Sequence, residues 1–258
     1  MSRVSRPALG AGLLALLGAI VVGSAMSDTG SAAGMSITAQ RFYVESLTTT
    51  PGVALQDTFS TNGAMNGRTV PTIDPDGGTV FGTTTTNRPT WTATDTAWTT
   101  ASSRALHGAS GAPSVVSIPW LSRSSYVQVR FPAVATTSNA GLGILCDAGT
   151  SCIGARLRRS GTNYVLELGT LSSGTFTAAT SPTCTSTSCT VTVGGTVPTT
   201  TDLRLTYNAS TYAVQLTFGS LTASMTAPSG YRTNTRAGLF ALANSDGTRF
   251  TRFQVGSQ

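Results

Sequence analysis

The chain has 258 residues, 40% of them hydrophobic and only 10% charged, with a formal net charge of +6. That length holds one large β-sandwich with a full core, and hydrophobics that alternate throughout exclude a disordered chain. Every one of the 16 Lys or Arg positions is Arg; they are scattered apart from Arg156-Leu157-Arg158-Arg159, where no aromatic ladder accompanies them, which argues against a nucleic-acid partner.

The N-terminus reads as an export signal. Arg3 and Arg6 form a basic start, and Ala8 to Val22 is an apolar run too short for a comfortable membrane span. Gly23-Ser24-Ala25 offers a cleavage site and Ser31-Ala32-Ala33 a second. The expected organisation is a signal over 1–25, a leader and linker over 26–52, and a β-sandwich over 53–258. An uncleaved signal is the one expected route to a membrane. Ile37 to Leu47 alternates without a clean apolar face and predicts an edge strand or tether; Thr48-Thr49-Thr50-Pro51-Gly52 punctuates as a linker. Ser27-Asp28-Thr29 followed by Gly34-Met35-Ser36-Ile37-Thr38-Ala39 resembles the signal region of proteins processed by the SipW-type signal peptidase, with Met26 and Gln40 departing from that pattern. The resemblance implies export to the cell surface or extracellular matrix, in some members as fibre subunits.

Val53 to Phe59 opens the globular part, and the Asn-, Gly- and Pro-rich stretch from Thr61 to Asp76 predicts a loop. Two short strands are expected in the Thr-rich stretch Thr83 to Ser103, which carries Trp91 and Trp98, and another at Val115 to Ile118. Tyr126 to Phe131 alternates with period two, the mark of a half-buried strand. Gly141 to Leu145, Ile153 to Arg158 and Tyr164 to Leu168 follow, so Tyr126 to Leu168 predicts an antiparallel meander joined by short turns. Leu203 to Tyr207 and Tyr212 to Phe218, around Asn208-Ala209-Ser210, form the clearest hairpin, with Tyr212 expected to face inward beside Val214. Leu221 to Met225, Ala237 to Leu242 and a closing strand with Phe253 and Val255 complete the set. Many strands without an amphipathic helix after the signal predict an all-β, two-sheet antiparallel sandwich of the jelly-roll type.

The four cysteines form two close pairs, Cys146/Cys152 and Cys184/Cys189. Three connectivities are open; local pairing is the simplest, because each pair brackets a short turn-like segment. A four-Cys zinc site fits less well, since Cys146-x₅-Cys152 exceeds the usual spacing.

Asp57-Thr58-Phe59-Ser60, Asn66-Gly67-Arg68-Thr69, the hairpin from Leu203 to Phe218, Arg236 to Phe240 and Phe250 to Val255 together resemble the concanavalin A-like lectin/glucanase superfamily, in its laminin-G-like branch. The resemblance covers about residues 53 to 256 and implies that the first and last strands pair. Thr251-Arg252-Phe253 stands where that branch often carries an acidic pair.

Catalysis is argued against by what the chain lacks. Glycoside hydrolysis needs two placed carboxylates, and the chain has two Glu in all, Glu45 and Glu167, without the branch's acidic strand motif. Glu167 is expected to face outward from its strand. The single His, His107, is expected at the surface or in a turn, and Ser110 lacks a nucleophile-elbow context beside it. Calcium is the one cofactor whose oxygen ligands the chain offers, through Asp74, Asp76 and Asp246, with Asp57 added by the family resemblance; turns are the simpler reading of those loops. Sugar binding calls for an exposed ring with polar neighbours, and Trp91, Trp98, Trp120 and Tyr126 are the candidates, although each Trp individually suits the core better. The expected function is thus a secreted, non-catalytic binding or adhesion module at the cell surface, with an extracellular glycan as partner; the alternative is a structural subunit of an extracellular fibre or matrix, with like subunits as partners.

Overall fold

A computed structural model describes residues 52–70, 89–108, 112–119, 124–180, 189–242 and 248–257, all within the unit Leu47–Gln258. The expected signal, leader strand and linker lie outside those residues, as do Ser110, Trp120, Asp74, Asp76, Asp246 and Cys184.

Seventeen strands are described: β1 (Gly52–Asp57), β2 (Gly63–Ala64), β3 (Thr92–Ala93), β4 (Trp98–Ala101), β5 (Arg104–His107), β6 (Ser114–Pro119), β7 (Ser124–Ala133), β8 (Asn139–Cys146), β9 (Cys152–Ser160), β10 (Asn163–Ser172), β11 (Thr175–Ala178), β12 (Thr190–Gly194), β13 (Asp202–Asn208), β14 (Ala213–Phe218), β15 (Leu221–Thr226), β16 (Arg236–Ala241) and β17 (Arg249–Ser257). One 3₁₀ turn, Ser229–Tyr231, is the sole helical element among the described residues. Nine strands form one antiparallel sheet, in the order β15-β14-β13-β7-β17-β5-β4-β2 with β1 also on β17. Eight form the other, β11-β10-β9-β8-β16-β6-β3 with β12 also on β10. The expected all-β sandwich is what the chain builds, and its first described strand pairs antiparallel with its last, Asp57 opposite Phe253.

The alternation that predicts the strands is the alternation that fills the core. Leu203 and Leu205 of β13, Val214 and Leu216 of β14, and Val127, Val129 and Phe131 of β7 are each fully buried on one face of the nine-stranded sheet. Ile153, Ala155, Leu157, Leu166 and Leu168 do the same on the eight-stranded sheet. Each such Val, Leu, Ile or Phe side chain contributes roughly 1.5–3 kcal/mol by leaving water.

The predicted meander holds only in part. β8, β9 and β10 pair in succession, but β7 sits in the other sheet between β13 and β17. The connection from Val134 to Ser138 therefore crosses between layers instead of closing a hairpin. The β13–β14 hairpin forms as expected, its turn held by Asn208, whose Oδ1 accepts from the Ser210 and Thr211 N–H groups at 2.9 and 3.2 Å. Tyr212 departs from expectation: it ends the turn at φ 58°, before β14 begins, and is 40% exposed.

Candidate functional site

Trp91 and Trp98 are both core residues, each 1% exposed, and neither ring offers a surface platform. Trp98 Nε1 donates to Ser114 Oγ at 2.9 Å, and its ring lies against His107 and Phe250. Trp91 packs edge-on to Phe253 with ring centroids 4.7 Å apart, while its Nε1 donates to Asp57 Oδ2 at 2.9 Å.

That hydrogen bond belongs to a closed knot around Asp57, which is fully buried. Asp57 also accepts from the Phe59 N–H at 2.7 Å and from Arg68 through Nε at 3.3 Å and Nη2 at 2.9 Å. Phe59 sits at φ 55°, a conformation that is costly for a bulky residue and is stabilised here by that bond. Four N–H donors surround the carboxylate, whereas calcium requires oxygen ligands; Asp57 does not fit a calcium site, and Arg68 supplies the positive charge. No group of three His, Cys, Asp or Glu gathers as for a metal among the described residues.

Glu167 faces outward from β10, on the side opposite Leu166 and Leu168, as expected, yet it is buried. Arg156 and Arg158 of β9 close over it, with Arg156 Nη2 and Arg158 Nη2 each 2.6 Å from a carboxylate oxygen. Burial pushes the Glu167 carboxyl up, and the hydrogen bonds from Arg158 and Arg156 outweigh it, leaving it below its usual range. Arg156 also stacks on Phe176 at 4.4 Å, and Phe176 stacks on Phe240. His107 is a correction: it lies in β5, 3% exposed, with Nε2 2.9 Å from Asp95 Oδ2. Burial raises the Asp95 carboxyl, and bonds from His107, the Ala97 N–H and Ser114 bring it below its ordinary value.

Cys146 and Cys152 are bonded to each other, as local pairing predicts. The enclosed turn is shaped by Asp147, whose Oδ1 accepts from the Gly149 and Ser151 N–H groups. Cys189 is also disulfide-bonded.

The outer face of the nine-stranded sheet assembles polar groups in a way that no local sequence pattern announces. Gln56, Gln254, Gln128, Arg204, Thr217 and Thr222 stand opposite one another in register across β1, β17, β7, β13, β14 and β15. Gln128 Nε2 donates to Gln254 Oε1, and Gln254 Nε2 donates to Gln56 Oε1 at 2.5 Å. One rung away, Tyr126 lies opposite Thr206, and the Arg204 guanidinium stacks on its ring at 3.8 Å. Tyr126 itself is only 4% exposed, so the expected ring platform carries an arginine over it. Burial pushes its phenol up, only partly offset by the Arg204 charge, which keeps it protonated at neutral pH. On the other side, Arg130 grips Asp202 through Nε at 2.8 Å and Nη2 at 3.2 Å, with Arg252 3.9 Å away. Arg204 Nε is buried without an acceptor. Gln215 and Thr222 are exposed at the β14–β15 side of this face. Of the sequence candidates among the described residues, only Tyr126 lies here; the glutamines and Arg204 give no signal in the sequence because each alone is an ordinary outward-facing strand residue, and only the register lines them up.

No protein-family model matches the chain, and no curated protein matches it. Solved structures of similar shape include the CBM2 module of the Lactobacillus casei BL23 phage J-1 evolved Dit, at 10% identity and TM-score 0.43 over 80% of this chain and 96% of that one. The carbohydrate binding module CBM66 from Bacillus subtilis is similar at 9% identity and TM-score 0.43, over 65% and 95%. LamAcat from Zobellia galactanivorans is similar at 10% identity and TM-score 0.42, over 80% and 97%. The fold assignment rests on the strand pairings themselves.

Proposed function

We propose that this chain is an exported, non-catalytic β-sandwich that binds carbohydrate on the outer face of its nine-stranded sheet. The observation that carries the reading is the in-register polar row from Gln56 through Gln254 and Gln128 to Arg204 and Thr217. Buried Gln254 ties Gln56 to Gln128, and the amides at its two sides, the Arg204 guanidinium and the threonine hydroxyls offer donors and acceptors at strand spacing, the groups that fix the orientation of a polyhydroxylated ligand. A sheet face holds them rigidly, because each residue's neighbours are set by the backbone ladder.

Export is supported by the basic and apolar N-terminal segment and by the Cys146–Cys152 disulfide, a bond at home in oxidising compartments. The non-catalytic reading is supported by the state of the carboxylates. Glu167 is closed under two arginines, Asp57 is saturated by N–H donors, and Asp202 is clamped by Arg130. None of the three is placed to trade a proton with a glycosidic oxygen. Trp120 remains a proposed rim residue.

A glycan array probed with the full chain tests the reading. Binding to at least one glycan class, weakened in the Gln128→Ala variant and unchanged in Trp98→Phe, is the expected result. Turnover of any bound glycan, lost on Glu167→Gln, would overturn the non-catalytic reading.

A further inference from the structure

We infer that the ligand of this face carries an anionic group, a carboxylate or a sulfate ester, and that Arg204 is the residue that receives it. The inference rests on the carbohydrate reading above and adds the charge class of the sugar.

On the outer face of the nine-stranded sheet, Arg130 and Arg252 both lie beside the Asp202 carboxylate, and Arg204 lies over Tyr126. Arg130 takes both of its oxygens, and Arg252 lies 3.9 Å from Oδ2. Arg204 forms no ion pair with any described residue. Its packing partner is the Tyr126 ring at 3.8 Å, a stack that orients the guanidinium plane while leaving its five in-plane N–H donors unconsumed. Its Nε lies buried with no acceptor. Nε is closed off by its packing, so a carboxylate or sulfate-ester oxyanion is received at Nη1 and Nη2, which make no hydrogen bond with a described residue, through charge-assisted N–H···O bonds.

The surroundings suit a sugar-borne anion better than a free one. Gln128 and Thr217 flank Arg204 on the same rung, one on each neighbouring strand. These neutral side chains have no charge to offer a small ion but match ring hydroxyls. Thr206 and Gln215 continue the polar surface one rung on. The acidic group thus docks at Arg204 while the hydroxyls of its own ring, or of the next sugar, meet the amides and threonines on either side.

Affinity electrophoresis of the full chain in gels holding a neutral, a carboxylated or a sulfated polysaccharide tests this. We expect retardation by one or both charged polymers and little by the neutral one, with the preference between carboxylate and sulfate identifying the source of the anion. Arg204→Ala should weaken retention about tenfold or more. Arg204→Lys, which keeps the charge but not the fork, should restore only part of it. Arg159→Ala removes the same charge from β9 in the other sheet and should change retention little. Equal loss in the Arg159 and Arg204 variants would reduce the effect to net charge and overturn the inference. Retention by the neutral polymer equal to that by the charged ones would overturn it while leaving carbohydrate binding intact. Failure to bind any of the three would overturn both.

Discussion

At Asp57 a single side chain decides how a loop is tied to the sheet. Its carboxylate joins the backbone of Phe59, the indole of Trp91 and the guanidinium of Arg68, so the segment from β1 to β2 and the core ring of Trp91 are fixed together. Asp57→Asn leaves Arg68 without its counter-ion at a position where its side chain is 12% exposed. The loss should be about 3–4 kcal/mol, near the cost of breaking a buried pair, and a urea denaturation midpoint measures it. Asp57 stood out in the sequence as an acid, yet its role was not readable there, because Arg68 and Trp91 become its neighbours only through the fold. Glu167 makes the same point with a pH signature. Its folded-state carboxyl lies below the ordinary value of 4.5, so the stability it adds is fully present above that value and is lost as pH falls through the lowered one. Glu167→Gln should therefore destabilise the protein at pH 7 by about 2–3 kcal/mol, less than for a fully buried pair because Arg158 is 36% exposed. The gap between variant and parent should narrow at pH 3 in the same denaturation assay.

Among the elements, the β13–β14 hairpin was legible because alternation and a turn-forming Asn coincide. The place of β7 was not. Its own alternation is clear, but the short run from Val134 to Ser138 reads the same whether it closes a hairpin or crosses between layers; only pairing with β13 and β17 separates the two. A second hidden feature is a line of glycines across four strands, with Gly238 opposite Gly143, Gly143 opposite Gly154 and Gly154 opposite Gly169. In the sequence these are scattered small residues. In register they clear a channel on the outer face of the eight-stranded sheet that the Phe240 ring and the Cys146–Cys152 bridge fill. A Cβ at Gly154 would stand 2.7 Å from Phe240 Cε1, and one at Gly143 2.8 and 2.9 Å from the two sulfurs. Phe240 is fully buried. Gly154→Ala should cost about 1–3 kcal/mol by overpacking, read as a lowered thermal midpoint with β-sheet circular dichroism retained.

The described residues form a two-layer sandwich whose core is supplied by both sheets, and the Cys146–Cys152 disulfide is a local staple on it. Cys146 and Cys152 are six residues apart, so cross-linking them restricts the unfolded chain by about 2 kcal/mol. The Cys146→Ser/Cys152→Ser variant should have a denaturation midpoint lowered by that modest amount without unfolding, as calorimetry of variant and parent would record. The central claim belongs to this scale too, because the polar row runs across six strands that lie between residues 52 and 257 and exists only when the sheet is complete. The measurement that tests it most directly is affinity electrophoresis of the full chain and of a Gln128→Ala/Gln254→Ala double variant against a panel of soluble polysaccharides. The account predicts retardation of the parent by at least one polysaccharide and its loss in a double variant that remains folded. A parent that no polysaccharide retards, or a folded variant retarded as strongly as the parent, would contradict it.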